Sequence, residues 1–205
     1  IRARGLEVML YPFLAMDVPE GNGRPDPWGA AEQAAHPWRG RITCHPAPGR
    51  VGSPDGTAAA ESEIAAFVGT ATAAQFHVVG ASIAYSGPVE WTLRRMILHY
   101  AALAQAAGGV EAFLIGSEFV GLGAVRGAGG SHPFVSALVS LAAEARALLG
   151  PSTKISYAAD WSEWNGFRPA DGSGDVVFHL DPLWASPNVD FVGIDAYFPL
   201  TDWRR

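Results

Sequence analysis

The sequence has 205 residues, a length typical of one domain. Its hydrophobic content of 49% and aromatic content of 11% are sufficient for a buried core and exclude intrinsic disorder. The net charge of −6 disfavours nucleic acid and anionic membranes as partners. No apolar run approaches the ~20 residues needed to cross a bilayer. A single cysteine, Cys44, excludes an internal disulfide framework.

The first predicted strand is the apolar run 5–12, which proline closes. Residues 17–56 are rich in glycine and proline and predict a long loop. Loops of this length are often functional, although a solvated insertion is an equally good interpretation. Three amphipathic helices are predicted next, over about 57–71, 88–107 and 131–149.

Further buried strands are predicted at 110–116, 154–158 and 189–194. Their alternation with helices indicates an α/β fold in which parallel strands are joined by right-handed crossovers. The chain starts without methionine and ends shortly after a strand-like run. We therefore expect residues 1–205 to be a fragment of one domain, truncated at both ends.

Polar and aromatic residues follow each predicted strand. In parallel α/β folds these carboxyl ends of strands face the ligand crevice. Carboxylates together with exposed rings suit a sugar, because sugar C–H faces stack on aromatic rings and sugar hydroxyls need acceptors. The candidate binding residues are Asp17, Asp160, Trp161, Asp195 and Tyr197.

Glu118 is the strongest catalytic candidate. It follows the run Phe-Leu-Ile-Gly-Ser directly, where a charge continuing into the core would be costly. It is either a general acid/base or a carboxylate that forms a salt bridge at the rim with Arg126 or Arg94. Asp160 and Trp161 are either a sugar platform or rim packing.

Other chemistries lack their motifs. The six histidines show no zinc-hydrolase spacing, no dinucleotide-binding glycine motif follows a strand, and no Gly-x-Ser-x-Gly elbow occurs. We predict no metal site and no organic cofactor.

Several segments resemble known barrels. The segments 113–119, 157–161 and 190–200 are similar to strands four to six of glycoside hydrolase family 113, the endo-β-mannanases. A closer resemblance, over 38–44, 154–163, 169–175 and 179–184, is to the TIM-barrel-like domain of gene transfer agent and phage tail-tip proteins, the large baseplate or host-specificity polypeptides.

The resemblance implies a partial TIM (β/α)8 barrel containing strands three to six, with Glu118 as the acid/base. Its partner nucleophile would be a glutamate on strand seven, beyond Arg205, so the fragment alone should be inactive. An acid of this kind needs a pKa raised toward neutrality. Trp38, Trp161 and Tyr197 would stack on sugar rings, while Asp160 and Asp195 would accept hydroxyl bonds.

The implied function is retaining hydrolysis of a cell-envelope polysaccharide or peptidoglycan by a phage-tail-like particle, virion-associated or extracellular. Other baseplate and tail proteins would be partners. The alternatives are a non-catalytic structural or receptor-binding barrel and a plain secreted mannanase. Open sheet edges also predict that the isolated chain associates.

Overall fold

The computed structural model describes residues 1–197, apart from the side chain of Arg2. Phe198, Pro199 and Leu200, which belong to the segment compared with a sixth barrel strand, lie outside the described residues. The strands are β1 (Met9–Leu10), β2 (Phe76–Val79), β3 (Ser82–Tyr85), β4 (Ala112–Ser117), β5 (Lys154–Asp160) and β6 (Gly193–Asp195). The helices are α1 (Ala58–Val68), α2 (Leu93–Ala106), α3 (Val120–Gly123), α4 (Pro133–Leu149) and α5 (Asp181–Trp184).

The principal sheet has four strands in the order β1-β4-β5-β6, and every neighbouring pair is parallel. This arrangement, with helices between the strands, confirms the predicted α/β class and is consistent with a partial TIM-like barrel. Because all four strands run the same way, their carboxyl ends share one edge of the sheet. That edge carries the candidate site.

The three long helices form within the predicted segments, although α2 begins at Leu93 instead of near residue 88 and α1 ends at Val68 instead of near residue 71. Thr57 caps α1 by accepting a hydrogen bond from the Ala59 N–H at 3.2 Å. Pro133 occupies the first turn of α4, and Gly150 ends that helix with a positive φ of 75°. Helix α4 packs on β4 and β5, α2 packs on β4 and α4, and α1 packs on α4. The fully buried core side chains include Ile97, Phe113, Phe134, Leu138 and Ile155.

Two strands are shorter than their apolar runs predict. The run 5–12 contributes only β1, an edge strand, and four of its eight residues are exposed. In the run 189–194, Asp190 instead accepts hydrogen bonds from the Ile155 N–H and the Arg146 guanidinium. The antiparallel hairpin β2–β3 was not predicted, although Gly80 and Ala81 between two short apolar runs are a hairpin signal.

Several contacts fix the predicted long loop, 17–56, to the barrel. Arg126 binds Asp55 through its guanidinium at 2.8 Å and through its backbone N–H. The 3₁₀ turn Arg39–Arg41 rests on α3, where Gly121 approaches it closely. The loop therefore delivers residues 38–41 to the carboxyl edge of the sheet.

Within residues 1–197, no helix combines the length and apolar character that a membrane span requires.

Gly121→Ala tests the packing of the long loop against α3. A Cβ at position 121 would lie 2.5 Å from the Ile42 carbonyl oxygen and 2.9 Å from that of Gly40, and both are backbone atoms that cannot rotate away. We expect a loss of about 1–3 kcal/mol in the free energy of unfolding, measured by urea denaturation. The control Val51→Ala, at a fully exposed loop position, should change it by less than about 0.5 kcal/mol. Equal stability of the two variants would contradict this account of the loop.

Candidate active site

The end of β4 turns sharply to direct Glu118 back into the molecule. The pairing of β4 with β5 is irregular between Leu114 and Ser117. Glu118 follows with a φ of +51°, a left-handed conformation that is uncommon for a residue other than glycine. Bulges and backbone strain of this kind concentrate at functional sites, where they re-aim a side chain.

The Glu118 carboxylate is buried and surrounded by donors. Its Oε2 accepts a hydrogen bond from the Trp38 indole N–H at 2.6 Å and forms an ion pair with the Arg39 guanidinium at 2.8 Å. Its Oε1 accepts a hydrogen bond from the Tyr197 hydroxyl. Only 2% of the Glu118 surface is exposed, so these partners replace water as its solvation shell.

Arg39 is itself buried and fixed in place. Its Nε donates to the Ser117 carbonyl oxygen at 3.1 Å and to the Ser117 hydroxyl at 2.9 Å. The Phe13 ring lies against the guanidinium, with its centroid 3.9 Å away. The positive charge that compensates Glu118 is therefore held rigidly.

This setting corrects three expectations for Glu118. Burial by itself raises the pKa of Glu118, but the hydrogen bonds from Tyr197 and Trp38 and the charge of Arg39 outweigh it, so the pKa is lowered rather than raised. The salt-bridge partner is neither Arg126, which binds Asp55, nor Arg94. The carboxylate is also covered by side chains and does not face an open hollow.

Arg94 instead forms an ion pair with Glu144, at 3.2 Å.

Asp195 joins Glu118 from the end of β6. Its Oδ2 accepts a hydrogen bond from the Tyr11 hydroxyl at 2.5 Å, and its carboxyl group lies near enough to that of Glu118 for each to shift the pKa of the other. Burial raises the pKa of Asp195, and the negative charge of Glu118 raises it further. The structure therefore brings together Trp38, Glu118, Asp195 and Tyr197, four of the seven predicted site residues.

Behind Glu118, the hydrogen-bonded side chains of Tyr157 and Glu163 hold the backbone that follows β4. The Phe119 N–H donates to the Tyr157 hydroxyl at 2.7 Å, and that hydroxyl lies 3.3 Å from a carboxylate oxygen of Glu163. Glu163 also accepts a bond from the Asp160 N–H at 2.7 Å. Burial raises the pKa of Glu163 to about 8, so this carboxyl is largely protonated at neutral pH.

The side chains of the other predicted residues have different partners. Asp160 is buried, and its Oδ1 accepts bonds from the N–H and hydroxyl of Ser162, which stabilise the turn after β5. Trp161, in the same turn, is half exposed. Asp17 is almost fully exposed and lies 3.6 Å from His36 in the long loop.

Sequence reasoning missed three members of the cluster as functional residues. Tyr11 was assigned only to a strand, and Arg39 and Glu163 only to segments of resemblance. A signal existed for Glu163, since it lies three residues after Asp160 within the segment of resemblance. No local pattern could have indicated that Tyr11 reaches Asp195, because the two are 184 positions apart.

No group of three or more His, Cys, Asp or Glu side chains suited to a metal ion occurs in the part of the chain that the structure describes.

A comparison with protein families places this chain. The profile of the GTA TIM-barrel-like domain, where GTA denotes gene transfer agent, matches residues 91–205, more than half of the sequence. The chain belongs to this family. The matched region of this GTA barrel contains Glu118 and Asp195, whereas Tyr11, Trp38 and Arg39 precede it. A search of curated proteins found no match.

Glu163→Gln should change how stability depends on pH. The pKa of Glu163 is 4.5 ordinarily and about 8 in the folded protein, so between these values the unfolded chain releases a proton that the folded chain retains. Wild-type stability should therefore fall as pH rises from 5 to 8. The variant has no such proton, so we expect its free energy of unfolding to gain about 2–4 kcal/mol relative to wild type across this range. The free energy of unfolding is measured by urea denaturation at several pH values. If it changes with pH equally in the two proteins, the burial of an ionisable Glu163 is contradicted.

Gly40→Ala should displace the Trp38 ring. A Cβ at position 40 would lie 2.4 Å from that ring, which can rotate away, but only by breaking its bond to Glu118. Losing this donor should raise the pKa of Glu118, measured by carboxyl ¹³C NMR titration. Trp38→Phe, which lacks the N–H but keeps an aromatic ring, should produce a shift in the same direction. An unchanged Glu118 titration in both variants would show that the indole does not stabilise the carboxylate.

Proposed function

We propose that this GTA barrel is a glycoside-hydrolase-like domain that cleaves a cell-envelope polysaccharide or peptidoglycan, with Glu118 as the acid/base. The observation that carries the proposal is the carboxylate of Glu118 at the carboxyl end of β4, in a left-handed backbone conformation and held between aromatic donors and Arg39. Functional groups of parallel α/β barrels lie at this end.

The chemistry assigned to Glu118 is proton transfer at a glycosidic bond. In its protonated form it would donate a proton to the departing oxygen, and as a carboxylate it would then accept a proton from the attacking water. Retention needs a second carboxyl group about 5–5.5 Å away as nucleophile. Asp195, at the end of β6, accepts a hydrogen bond from Tyr11, and it is not the residue to which the resemblance assigns the nucleophile. The nucleophile is therefore assigned to a later barrel strand, as the resemblance to glycoside hydrolases implies.

Three exposed rings support sugar as the substrate class. Trp38, Trp161 and Tyr197 expose between 43% and 67% of their surface. Trp38 and Tyr197 each donate a hydrogen bond to Glu118 through their single polar side-chain atom. Their outer ring faces are therefore available for stacking on a sugar. A pyranose resting on these two rings would lie above Glu118, and closer access would require one of them to move.

Family membership supports the proposed location. A TIM-barrel-like domain of a gene transfer agent would act in a phage-tail-like particle, in contact with other baseplate or tail proteins and with the cell envelope. The polysaccharide, the tail partners and the particle location all belong to this proposal.

A second candidate function is non-catalytic attachment to the envelope. It is favoured by the burial of Glu118, which is 2% exposed and already paired with Arg39. In this case the carboxylate would hold Trp38 and Tyr197 in place for binding a sugar, without proton transfer.

Glu118→Gln separates the two functions in the complete gene product. Gln keeps an acceptor for Trp38 and Tyr197 but cannot transfer a proton, so release of reducing ends from envelope polysaccharide should fall at least 100-fold. Sedimentation of the protein with cell envelopes should change little. Glu20→Gln, the same change at an exposed loop position, should retain both properties.

Thermal melting must show that the Glu118→Gln variant is folded, because the substitution leaves Arg39 buried without its ion-pair partner. If the wild type binds envelopes but releases no reducing ends, the hydrolase proposal fails and attachment is the function. If a folded Glu118→Gln variant keeps full hydrolytic activity, Glu118 is not the acid/base.

A further inference from the structure

We propose that Phe13 is a sugar-binding residue, and that it extends the candidate site onto the β1 side of Glu118. The inference rests on the proposed function for its ligand class, and it adds a residue that no sequence motif indicated. It concerns binding, so it can be tested separately from hydrolysis.

Phe13 lies at the carboxyl edge of the sheet, where the candidate site is. It follows the last residue of β1, Leu10, by three positions. Strands β1 and β5 pair with opposite sides of β4, the strand that leads directly to Glu118. Trp161 and Tyr197 follow β5 and β6, so Phe13 supplies an aromatic ring from the other neighbour of β4.

One face of the Phe13 ring packs on the cation of the site. The guanidinium carbon of Arg39 lies 3.9 Å from the ring centroid, within the range of a cation–π contact. The same guanidinium is 2.8 Å from the Glu118 carboxylate. A single buried side chain therefore separates the Phe13 ring from the proposed acid/base.

The rest of the ring is accessible to a ligand and is held in position. Phe13 exposes 58% of its surface, although Arg39 covers one of its faces. It also makes a T-shaped contact with the Tyr11 ring, with 6.3 Å between the centroids. Tyr11 is fixed in turn by its hydrogen bond to Asp195 at 2.5 Å. An exposed ring that is already ordered loses little conformational entropy when a ligand covers it.

These neighbours distinguish Phe13 from an ordinary exposed apolar side chain. Single exposed hydrophobic residues are normal on protein surfaces and need no ligand to explain them. Phe13 instead packs on two side chains, Arg39 and Tyr11, whose polar groups bind the carboxylates of the site. Its exposed surface therefore borders the groups at which a sugar would be held.

The added ring affects the length of glycan that the site prefers. A disaccharide over Glu118 would contact the rings of Trp38 and Tyr197, whose polar atoms bind that carboxylate. A longer chain would also reach Phe13 and bury more of its apolar C–H surface against an aromatic ring. The site should therefore bind a chain of several sugars more tightly than a disaccharide, and Phe13 should account for part of the difference.

Glycans of two and six sugar units, released from purified bacterial cell envelopes and separated by length, test this inference on the complete gene product. Affinity is measured as Kd by titration calorimetry, or as KM if the glycan is hydrolysed. Phe13→Leu removes the ring but keeps an apolar side chain over Arg39, so it should weaken hexasaccharide binding at least about fivefold. Disaccharide binding and kcat should change less than about twofold. Phe13→Trp, which keeps a ring, should bind the hexasaccharide as tightly as the wild type.

Phe178→Leu is the matched control, because the Phe178 ring is 55% exposed in the segment before α5. It should alter none of these values. The inference is overturned if the wild type does not bind the hexasaccharide, if Phe13→Leu binds it equally well, or if Phe178→Leu weakens binding as much. Equal weakening of both glycans by Phe13→Leu would show that Phe13 acts only by covering Arg39, which also overturns it.

The outcome is separate from that of the proposed function. Length-dependent binding that requires Phe13, in a protein that releases no reducing ends, would refute the hydrolase proposal and establish the binding residue. Hydrolysis of the hexasaccharide that Phe13→Leu leaves unchanged would support the hydrolase proposal and refute the inference.

Discussion

The pairing of Glu118 with Arg39 is the interaction on which the carboxyl edge of this barrel depends. A buried carboxylate without a partner costs several kcal/mol, and here the compensating cation comes from the long loop, 79 positions earlier in the chain. Arg39 also binds Ser117 through the carbonyl and the hydroxyl. One guanidinium therefore fixes the end of β4, the loop and the acid/base candidate together.

Around this pair the pKa shifts of three carboxyl groups run in opposite directions. The pKa values of Asp195 and Glu163 are raised, because both are removed from water near another carboxylate. The pKa of Glu118 is lowered, because its hydrogen-bond donors and Arg39 stabilise the ionised form.

Family and fold leave the chemistry open, because a TIM-like barrel supports many functions and only the site selects among them. The GTA TIM-barrel-like domain is established for this chain by its sequence profile. The glycosidase proposal depends instead on the strained backbone of Glu118 and on the aromatic donors that hold its carboxylate.

The sequence by itself determined the α/β class, the three long helices and the position of Glu118 at a strand end, because periodicity, caps and buried apolar runs are local properties. It did not reveal that Arg39 pairs with Glu118 or that Tyr11 reaches Asp195. Only the tertiary structure decided these contacts, since they join segments far apart in the chain. The direction of the Glu118 pKa shift also depends on the tertiary structure, because its causes lie on distant segments. Burial alone raises that pKa, and the donors that reverse the shift come from the long loop and the end of β6.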